Sequence, residues 1–220
     1  MHTITGIVAS ARRQGRFDIV VDDRPAATIG LDAIERLGLH VGRVLSAADS
    51  ASLEREAQAL RTVDRALDML ALSARSTREL RRQLIRKGEP EELVAIALER
   101  LARLGVLDDA AYARQLARSR IAGSGISRRR LQAELFRKGV DRVIAEEAIA
   151  TVIDEESVDE SANLERVAAK KARTLAKLDP ETRRRRLYAF LARRGYESSD
   201  ITRVMDRLAR GESKEDSPSE

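Results

Sequence analysis

Two runs of arginine carry most of the chemistry that this sequence offers. One comprises Arg128, Arg129 and Arg130, and the other comprises Arg183, Arg184, Arg185 and Arg186. A guanidinium stays charged at physiological pH and donates paired hydrogen bonds to phosphate or carboxylate oxygens. Four consecutive side chains sweep about 300° around a helix, so some of the second run must flank the helix seam with packed stems. Both runs predict a surface that binds a polyanion.

The net charge of +5 is distributed very unevenly along the chain. Residues 114–142 carry a net +7 and residues 161–210 a net +8, whereas residues 143–160 carry −7. Segregation of this kind produces an electrostatic field that attracts polyanions. A plain alternative stays open, because runs of charge commonly form nothing more than solvated helix faces.

The residues that could catalyse a reaction are not spaced to do so. Asp108 and Asp109 precede an apolar periodic run, where a carboxylate caps a helix. His2 and His40 have no partner at ligand or catalytic spacing. The chain has no cysteine, no glycine-rich phosphate loop and no nucleophile elbow. The sequence therefore predicts no enzyme, no metal site and no cofactor.

The elements that hold the arginines form a repeat. A leucine, three residues, a second leucine, two residues, a basic residue and a glycine occur three times. The copies are Leu80, Leu84, Lys87, Gly88; Leu131, Leu135, Lys138, Gly139; and Leu187, Leu191, Arg194, Gly195. Apolar residues recur at fixed distances after each glycine, so each copy predicts a helix, a glycine stop and a further helix. With one more helix ahead of each copy, the fold class is mainly α: a curved array of three tandem three-helix repeats, stacked to bury their apolar stripes, with a small N-terminal β unit.

The domain boundaries follow from composition and turn residues. Residues 1–52 alternate apolar and polar positions around a turn at Asp22 to Pro25, which predicts three strands that dock on the short helix from Asp32 or on the first long helix. A loop from Ser46 to Ser52 precedes repeats at 53–107, 108–160 and 161–210, and a disordered acidic tail at 211–220. The sequence shows neither a secretory signal nor a membrane-spanning apolar run, so we expect a cytoplasmic protein.

Capping residues place the helix ends. Ser76, Ser127 and the pair Asp179-Pro180 should begin the second helices of the three repeats. The basic residue before each terminal glycine has a structural role there, because it complements the negative end of the helix dipole. Tyr196 should supply the apolar contact that accompanies such a cap.

Aromatic residues are scarce, with three Phe, three Tyr and no Trp. Phe136 and Phe190 fall on or beside the apolar seam. We therefore expect phosphate contacts rather than base stacking to provide any affinity for nucleic acid, with weak sequence specificity.

Several stretches together resemble the RecX family, the bacterial regulators of the RecA recombinase. They are Ser76 to Gly88, Gly105 to Ala113 with its Leu-Asp-Asp-x-x-Tyr-Ala run, Leu131 to Gly139, and Phe190 to Tyr196. The similarity covers roughly Arg65 to Arg210, and residues 1–52 match less tightly. The resemblance implies three tandem three-helix repeats and no catalysis. It also implies binding in the groove of the RecA filament on DNA, where such a protein lowers ATP hydrolysis and strand exchange in recombination, DNA repair and the SOS response.

On this reading the second and third repeats contact the filament and its single- or double-stranded DNA, and the protein acts as a monomer. The predicted contact residues are Arg128, Arg129, Arg130, Lys138, Lys170, Lys171, Arg183, Arg184, Arg185, Arg186, Arg193 and Arg194. One alternative is a nonspecific DNA-binding protein that competes for the strand. A further hypothesis is that the acidic tail folds back on the basic face as a competitor.

Overall fold

A computed structural model describes residues 2–11 and 14–215 of the chain, and at 124 and 211–215 it describes the main chain alone. These residues form four strands and ten helices. They fold as two compact units, Met1–Leu107 and Asp108–Glu220, which we call the first and second units. The predicted class is confirmed: a mainly helical protein with three-helix repeats and a small N-terminal β unit.

The N-terminal sheet is antiparallel and contains one more strand than the sequence predicted. Strands β1 (His2–Ala9), β2 (Arg16–Val21), β3 (Arg24–Gly30) and β4 (Val44–Leu45) are arranged in the order β3-β2-β1-β4. Asp22 and Asp23 form the two-residue turn between β2 and β3 with φ angles of 49° and 63°. Positive φ at both turn residues suits the right-handed twist of a hairpin, and Asp tolerates it better than most residues.

Two helices cover one face of this sheet. Ile4, Ile19 and Ile29, one from each long strand, are fully buried against helix α1 (Leu31–Arg36) and helix α2 (Ala47–Leu72). The sequence left open which of the two helices the strands dock on, and both do so. The sheet therefore packs on α2, the helix that also contributes to the separate apolar core of the first repeat.

Helix α2 begins earlier than the sequence predicted. Ser46 caps it: the Ser46 side chain accepts a hydrogen bond from the Asp49 backbone N–H, and the Asp49 carboxylate accepts one from the Ser46 backbone N–H at 2.9 Å. This reciprocal capping box converts the predicted loop from Ser46 to Ser52 into the first helical turns, so that prediction was wrong. The predicted boundary at residue 52/53 falls inside α2, which belongs to the sheet and to the first repeat at once.

A buried carboxylate ties these elements together. Glu56 on α2 is only 7% exposed. Its carboxylate accepts hydrogen bonds from Arg100 Nη1 at 2.7 Å and Nη2 at 2.9 Å, and from Arg36 Nη2 at 2.7 Å. Burial opposes ionisation of Glu56, but the hydrogen bonds and charges of Arg100 and Arg36 outweigh burial and lower its pKa.

The first repeat is completed by α3 (Thr77–Arg86) and α4 (Glu91–Arg103). Ser76 caps α3 as predicted, with its side chain accepting from the Glu79 backbone N–H at 3.1 Å. The motif leucines Leu80 and Leu84 are fully buried against apolar residues of α2 and α4. Gly88 ends the α3 turn at a φ of 88°. The repeated motif is thus a buried leucine pair closed by a left-handed glycine.

The second unit contains the second and third repeats. Their helices are α5 (Asp109–Ser124), α6 (Arg128–Lys138), α7 (Arg142–Glu155), α8 (Glu160–Thr174), α9 (Pro180–Arg193) and α10 (Ser198–Glu215). Each set of three encloses its own apolar core around a motif leucine pair. None of the described helices has an apolar stretch long enough to cross a bilayer.

The predicted caps of the second unit are present. The side chains of Asp108, Ser127 and Asp179 accept hydrogen bonds from the first turns that follow them, and Asp141 caps α7 in the same way. Helix α8 ends at Thr174, and α10 continues past residue 210, the predicted end of the third repeat, to Glu215. The predicted disordered tail therefore overlaps α10 at 211–215, and its remainder, 216–220, lies outside the described residues.

Replacing Glu56 with Gln should destabilise the first unit, because two arginines lose the anion that neutralises them. At pH 7 we expect a loss on the order of 3 kcal/mol in the free energy of unfolding, measured by urea titration with circular dichroism. Because the pKa of Glu56 is lowered on folding, its contribution is present above the unfolded pKa of about 4.3 and disappears as pH falls through the folded pKa.

The matched control is Glu99→Gln, which breaks the exposed pair between Glu99 and Arg103 at 2.9 Å. This change should shift the free energy of unfolding by less than about 0.5 kcal/mol. Equal effects of the two variants at pH 7, or a Glu56→Gln effect that persists in acid, would contradict this role of Glu56.

Candidate nucleic-acid interface

The first turn of α6 presents three arginines to solvent. Ser127 caps the helix by accepting a hydrogen bond from the Arg130 backbone N–H at 3.2 Å. Arg128, Arg129 and Arg130 follow directly and are all exposed, and none of them forms an ion pair with the described part of the chain. Their charge adds to the positive end of the helix dipole, so this turn is a site of concentrated positive potential.

Helix α9 carries a second group of cations along one side. Asp179 caps the helix and Pro180 occupies its first position. Arg183, Arg186, Phe190 and Arg193 are separated by three, four and three residues, which places them within about 80° on one side of the helix. We call these four residues the α9 stripe. It extends about 15 Å along the helix axis, at 1.5 Å per residue.

An aromatic ring organises the end of the stripe. The Cζ of Arg194 lies 4.5 Å from the centroid of the Phe190 ring, and the Nζ of Lys171 on α8 lies 5.2 Å from it. Cation–π contacts of this kind hold the two charged groups near each other despite their repulsion. The sequence prediction placed Phe190 on or beside the apolar seam, and the ring does pack against the core of the third repeat. Its contact with two cations was not predicted, although the spacing of four residues between Phe190 and Arg194 could have indicated it.

Four predicted residues lie apart from this arrangement. Arg184 faces α10 instead, 3.8 Å from Asp206, and Arg185 points to the opposite side of α9 from the stripe. Lys138 lies in the last turn of α6, about 15 Å along the helix from Arg128. Lys170 is exposed on α8 but has no contact with Phe190 comparable to that of Lys171.

The second and third repeats meet through main-chain contacts. The Ser127 backbone N–H donates to the Arg194 carbonyl at 3.0 Å. Gly195 has a φ of 88°, and a Cβ atom there would lie 2.5 Å from Ser127 Oγ and 2.6 Å from Arg130 Cβ. Such close approach is open only to glycine, so the first turn of α6 is pressed directly against the end of α9.

A buried tyrosine also stabilises the junction between the second and third repeats. The buried Tyr196 hydroxyl donates a hydrogen bond to the Gly125 carbonyl at 2.7 Å. Burial raises the pKa of Tyr196 to about 12, so the hydroxyl remains a neutral donor throughout the physiological range. Gly125 is also constrained, since a Cβ atom there would lie 2.3 Å from Val167 Cγ2. The predicted apolar cap contact of Tyr196 is present, and the hydrogen bond across the junction is additional.

Together these contacts join the two predicted arginine runs into one surface. Because the α6 turn abuts Arg194 and Gly195, Arg130 lies beside the end of the α9 stripe. We call this surface the cationic face. It comprises Arg130, Lys171, Arg183, Arg186, Phe190, Arg193 and Arg194, with Arg128 and Arg129 at its border. Such an array can bind several phosphate groups of one polyanion simultaneously.

A cleft of about 770 Å³ opens between the second and third repeats next to this face. Its floor is apolar and includes Ile121, Leu131, Ile149 and Leu164. Its rim mixes both signs of charge, with Arg128, Arg129, Arg203 and Arg207 opposed by Glu146, Glu160, Glu165, Glu197 and Asp200. Carboxylates at this density disfavour phosphate, so the cationic face is the better polyanion site.

Comparison with known proteins assigns the family. Family profiles described as the first, second and third three-helix domains of RecX match residues 63–101, 108–149 and 159–205. The chain belongs to the RecX family. The regulatory protein RecX of Pelodictyon phaeoclathratiforme is 33% identical over 70% of this chain and 92% of its own length. That of Amycolatopsis mediterranei is 43% identical over 59% of this chain and 72% of its own.

Solved RecX structures share the fold. A crystal structure of regulatory protein RecX superposes with a TM-score of 0.76 at 23% identity, over 94% of this chain and 100% of that one. RecX from Lactobacillus salivarius gives a TM-score of 0.57 at 20% identity, over 69% and 97%. The 94% coverage extends the likeness beyond the three helical domains to the N-terminal β unit.

Substituting the junction glycine should separate the two halves of the cationic face. Gly195→Ala should lower the free energy of unfolding by about 3 kcal/mol, because overpacking adds to the strain of a left-handed alanine. Gly88→Ala is the matched control, because Gly88 also has a φ of 88° but no neighbouring atom within 4 Å of its added Cβ. That control should lose only about 1 kcal/mol.

Urea titration with circular dichroism measures both losses, and fluorescence anisotropy measures the affinity for a labelled single-stranded oligonucleotide. Only Gly195→Ala should weaken that affinity. Equal losses of stability and affinity in the two variants would show that the junction does not hold the cationic face together.

Proposed function

We propose that this RecX-family chain is a negative regulator of a RecA-type recombinase. It binds in the helical groove of the RecA–DNA filament and lowers the filament's ATP hydrolysis and strand exchange. It has no catalytic activity of its own, and it acts as a monomer in the cytoplasm, where the filament forms. The observation that carries this proposal is the cationic face, which crosses two repeats and is stiffened at their junction.

The chemistry of the face favours the phosphate backbone as part of its target. Arg186 and Arg193 of the stripe form no ion pair within the described residues, so they bind a phosphate without first losing an internal partner. Arginine donates two parallel hydrogen bonds to a phosphate group. Contacts to the backbone alone carry little sequence information, which suits a protein that acts wherever a filament forms.

The arrangement in repeats favours a filament over an isolated strand. A filament offers the same surface at regular intervals, and a chain with several linked repeats can contact neighbouring subunits at once. Linked contacts of modest individual strength multiply into a much higher overall affinity. Membership of the RecX family supports the RecA-type recombinase as the protein of that filament.

A nonspecific DNA-binding protein is the second candidate, and the charge of the second unit favours it. Such a protein would bind naked DNA with an affinity that falls steeply as the salt concentration rises. It would inhibit a recombinase only by covering the strand. Under this alternative the positions of the arginines matter little, since the total charge sets the affinity. The two candidates therefore differ in whether inhibition depends on which arginines of α9 are removed or only on how many.

Two double variants of α9 provide that test. Arg186→Ala with Arg193→Ala removes two cations from the stripe, whereas Arg184→Ala with Arg185→Ala removes two that lie off it. The first pair should raise the concentration for half-inhibition of RecA ATP hydrolysis at least about tenfold, and should reduce the salt slope of single-strand binding by roughly 1.4 for two lost phosphate contacts.

The second pair has the same net charge and helix content as the first, and it should change both quantities much less. Circular dichroism verifies that both variants are folded. If both pairs weaken inhibition and salt slope equally, net charge governs the effect, and the nonspecific alternative replaces the filament regulator.

A further inference from the structure

Phe136 is a large aromatic side chain that the fold leaves in solvent. It lies on α6 and is 65% exposed, which corrects the sequence prediction that it falls on or beside the apolar seam. The reason is its position one residue after Leu135, which rotates it about 100° away from the buried leucine pair. The equivalent positions of the other repeats, Ile85 and Ala192, are exposed in the same way.

The local fold has no need of this ring. Gly139 ends α6, and the Val140 backbone N–H donates to the Leu135 carbonyl at 3.1 Å. The buried Val140 side chain supplies the apolar contact of this helix end. The third repeat closes the same motif with Ala192 at the equivalent position. An exposed phenyl ring here is therefore not explained by stability.

The surroundings of Phe136 suit a nucleotide. Arg129 lies seven residues earlier, which places it within about 20° on the same side of α6 and about 10 Å along its axis. Arg137 follows Phe136 directly, and neither arginine forms an ion pair with the described residues. The ring thus has one exposed arginine on its own side of α6 and another next to it in sequence, and both are available to phosphate groups.

A shallow groove of about 340 Å³ runs beside the ring. Gln132, Ala133 and Phe136 of α6 form one wall, and Arg142, Ala145 and Glu146 of α7 form the other. Glu146 is paired with Arg142 at 2.9 Å, so the groove presents no uncompensated carboxylate to a phosphate backbone. A flat aromatic face with exposed arginines nearby is an arrangement by which proteins hold unpaired bases.

We propose that Phe136 is a stacking platform for a base of single-stranded DNA, with Arg129 and Arg137 contacting the adjacent phosphates. This site adds a DNA contact to the proposed function, and it rests on that function for the presence of DNA. It lies on α6, the helix whose first turn contributes Arg130 to the cationic face. It reverses the expectation that base stacking plays no part in affinity. A duplex, whose bases are already stacked, gains nothing from this ring.

The absence of tryptophan from the chain makes this site directly observable. In Phe136→Trp the only indole of the protein occupies the platform, and oligothymidylate should quench its fluorescence when a base stacks on it. An abasic strand of the same length binds through phosphates alone and should quench little. Leu104→Trp, at an exposed apolar residue of the first unit, is the control and should respond to neither strand.

Affinity measurements separate stacking from charge. Phe136→Leu keeps apolar bulk but removes the π face, so it should weaken binding of oligothymidylate about five- to a hundredfold at fixed salt, with an unchanged salt slope. Phe136→Tyr keeps an aromatic face, so it should bind oligothymidylate about as tightly as the unmodified protein. Circular dichroism identifies any variant that fails to fold, and the Tyr variant keeps the test valid in that case.

Three results would overturn the platform: equal quenching by abasic and base-bearing strands, unchanged affinity of Phe136→Leu, or quenching by DNA-free RecA alone. The last would assign the groove to a protein partner. Each of these outcomes leaves the proposed function intact if the two double variants of α9 still differ in their inhibition of RecA. If those two variants inhibit equally, the proposed function fails, but the indole signal still tests the platform.

Discussion

The close approach of two main-chain segments at the junction of the second and third repeats is the constraint on which the candidate interface depends. Gly195 accepts the first turn of α6 because it has no side chain, and Gly125 accepts α8 for the same reason. The hydrogen bond from the buried Tyr196 hydroxyl to the Gly125 carbonyl spans this contact. Main-chain packing is stiffer than contact between long side chains, so arginines from two repeats keep a fixed relative position.

That fixed position matters because like charges repel one another. The cationic face concentrates positive groups that would separate if their supports were mobile. Phe190 offsets part of the repulsion by placing its π face against Lys171 and Arg194. A rigid cationic array loses less conformational entropy when phosphates bind than a flexible one would. A bound polyanion would also reduce the remaining repulsion among these cations.

Much of the fold could be predicted from sequence because its determinants are local. Capping residues such as Ser76, Ser127 and Asp179 act within one helical turn, and the motif leucines repeat at helical spacing. The start of α2 was missed because the capping box at Ser46 uses Asp49 in the position where Glu or Gln is expected.

The organisation of the site was less predictable. The sequence identified the arginine runs, but not that Arg184 turns toward Asp206 while Arg186 stays on the stripe. That distinction depends on which side of α9 faces α10, and tertiary packing decides it. The exposure of Phe136 was not predicted either, because an aromatic residue near an apolar stripe favours a position on or beside the seam. One residue of offset from Leu135 is enough to expose it.

As a recombinase regulator of the kind proposed, this protein would act on the filament and not on free DNA. The most direct test titrates the unmodified protein into preformed RecA filaments on single-stranded DNA, with its affinity for the naked strand determined in the same buffer. We expect ATP hydrolysis to fall at well below one molecule per RecA subunit, at concentrations where naked DNA is still mostly unbound. Inhibition that begins only when the strand itself is coated would identify a nonspecific DNA-binding protein instead.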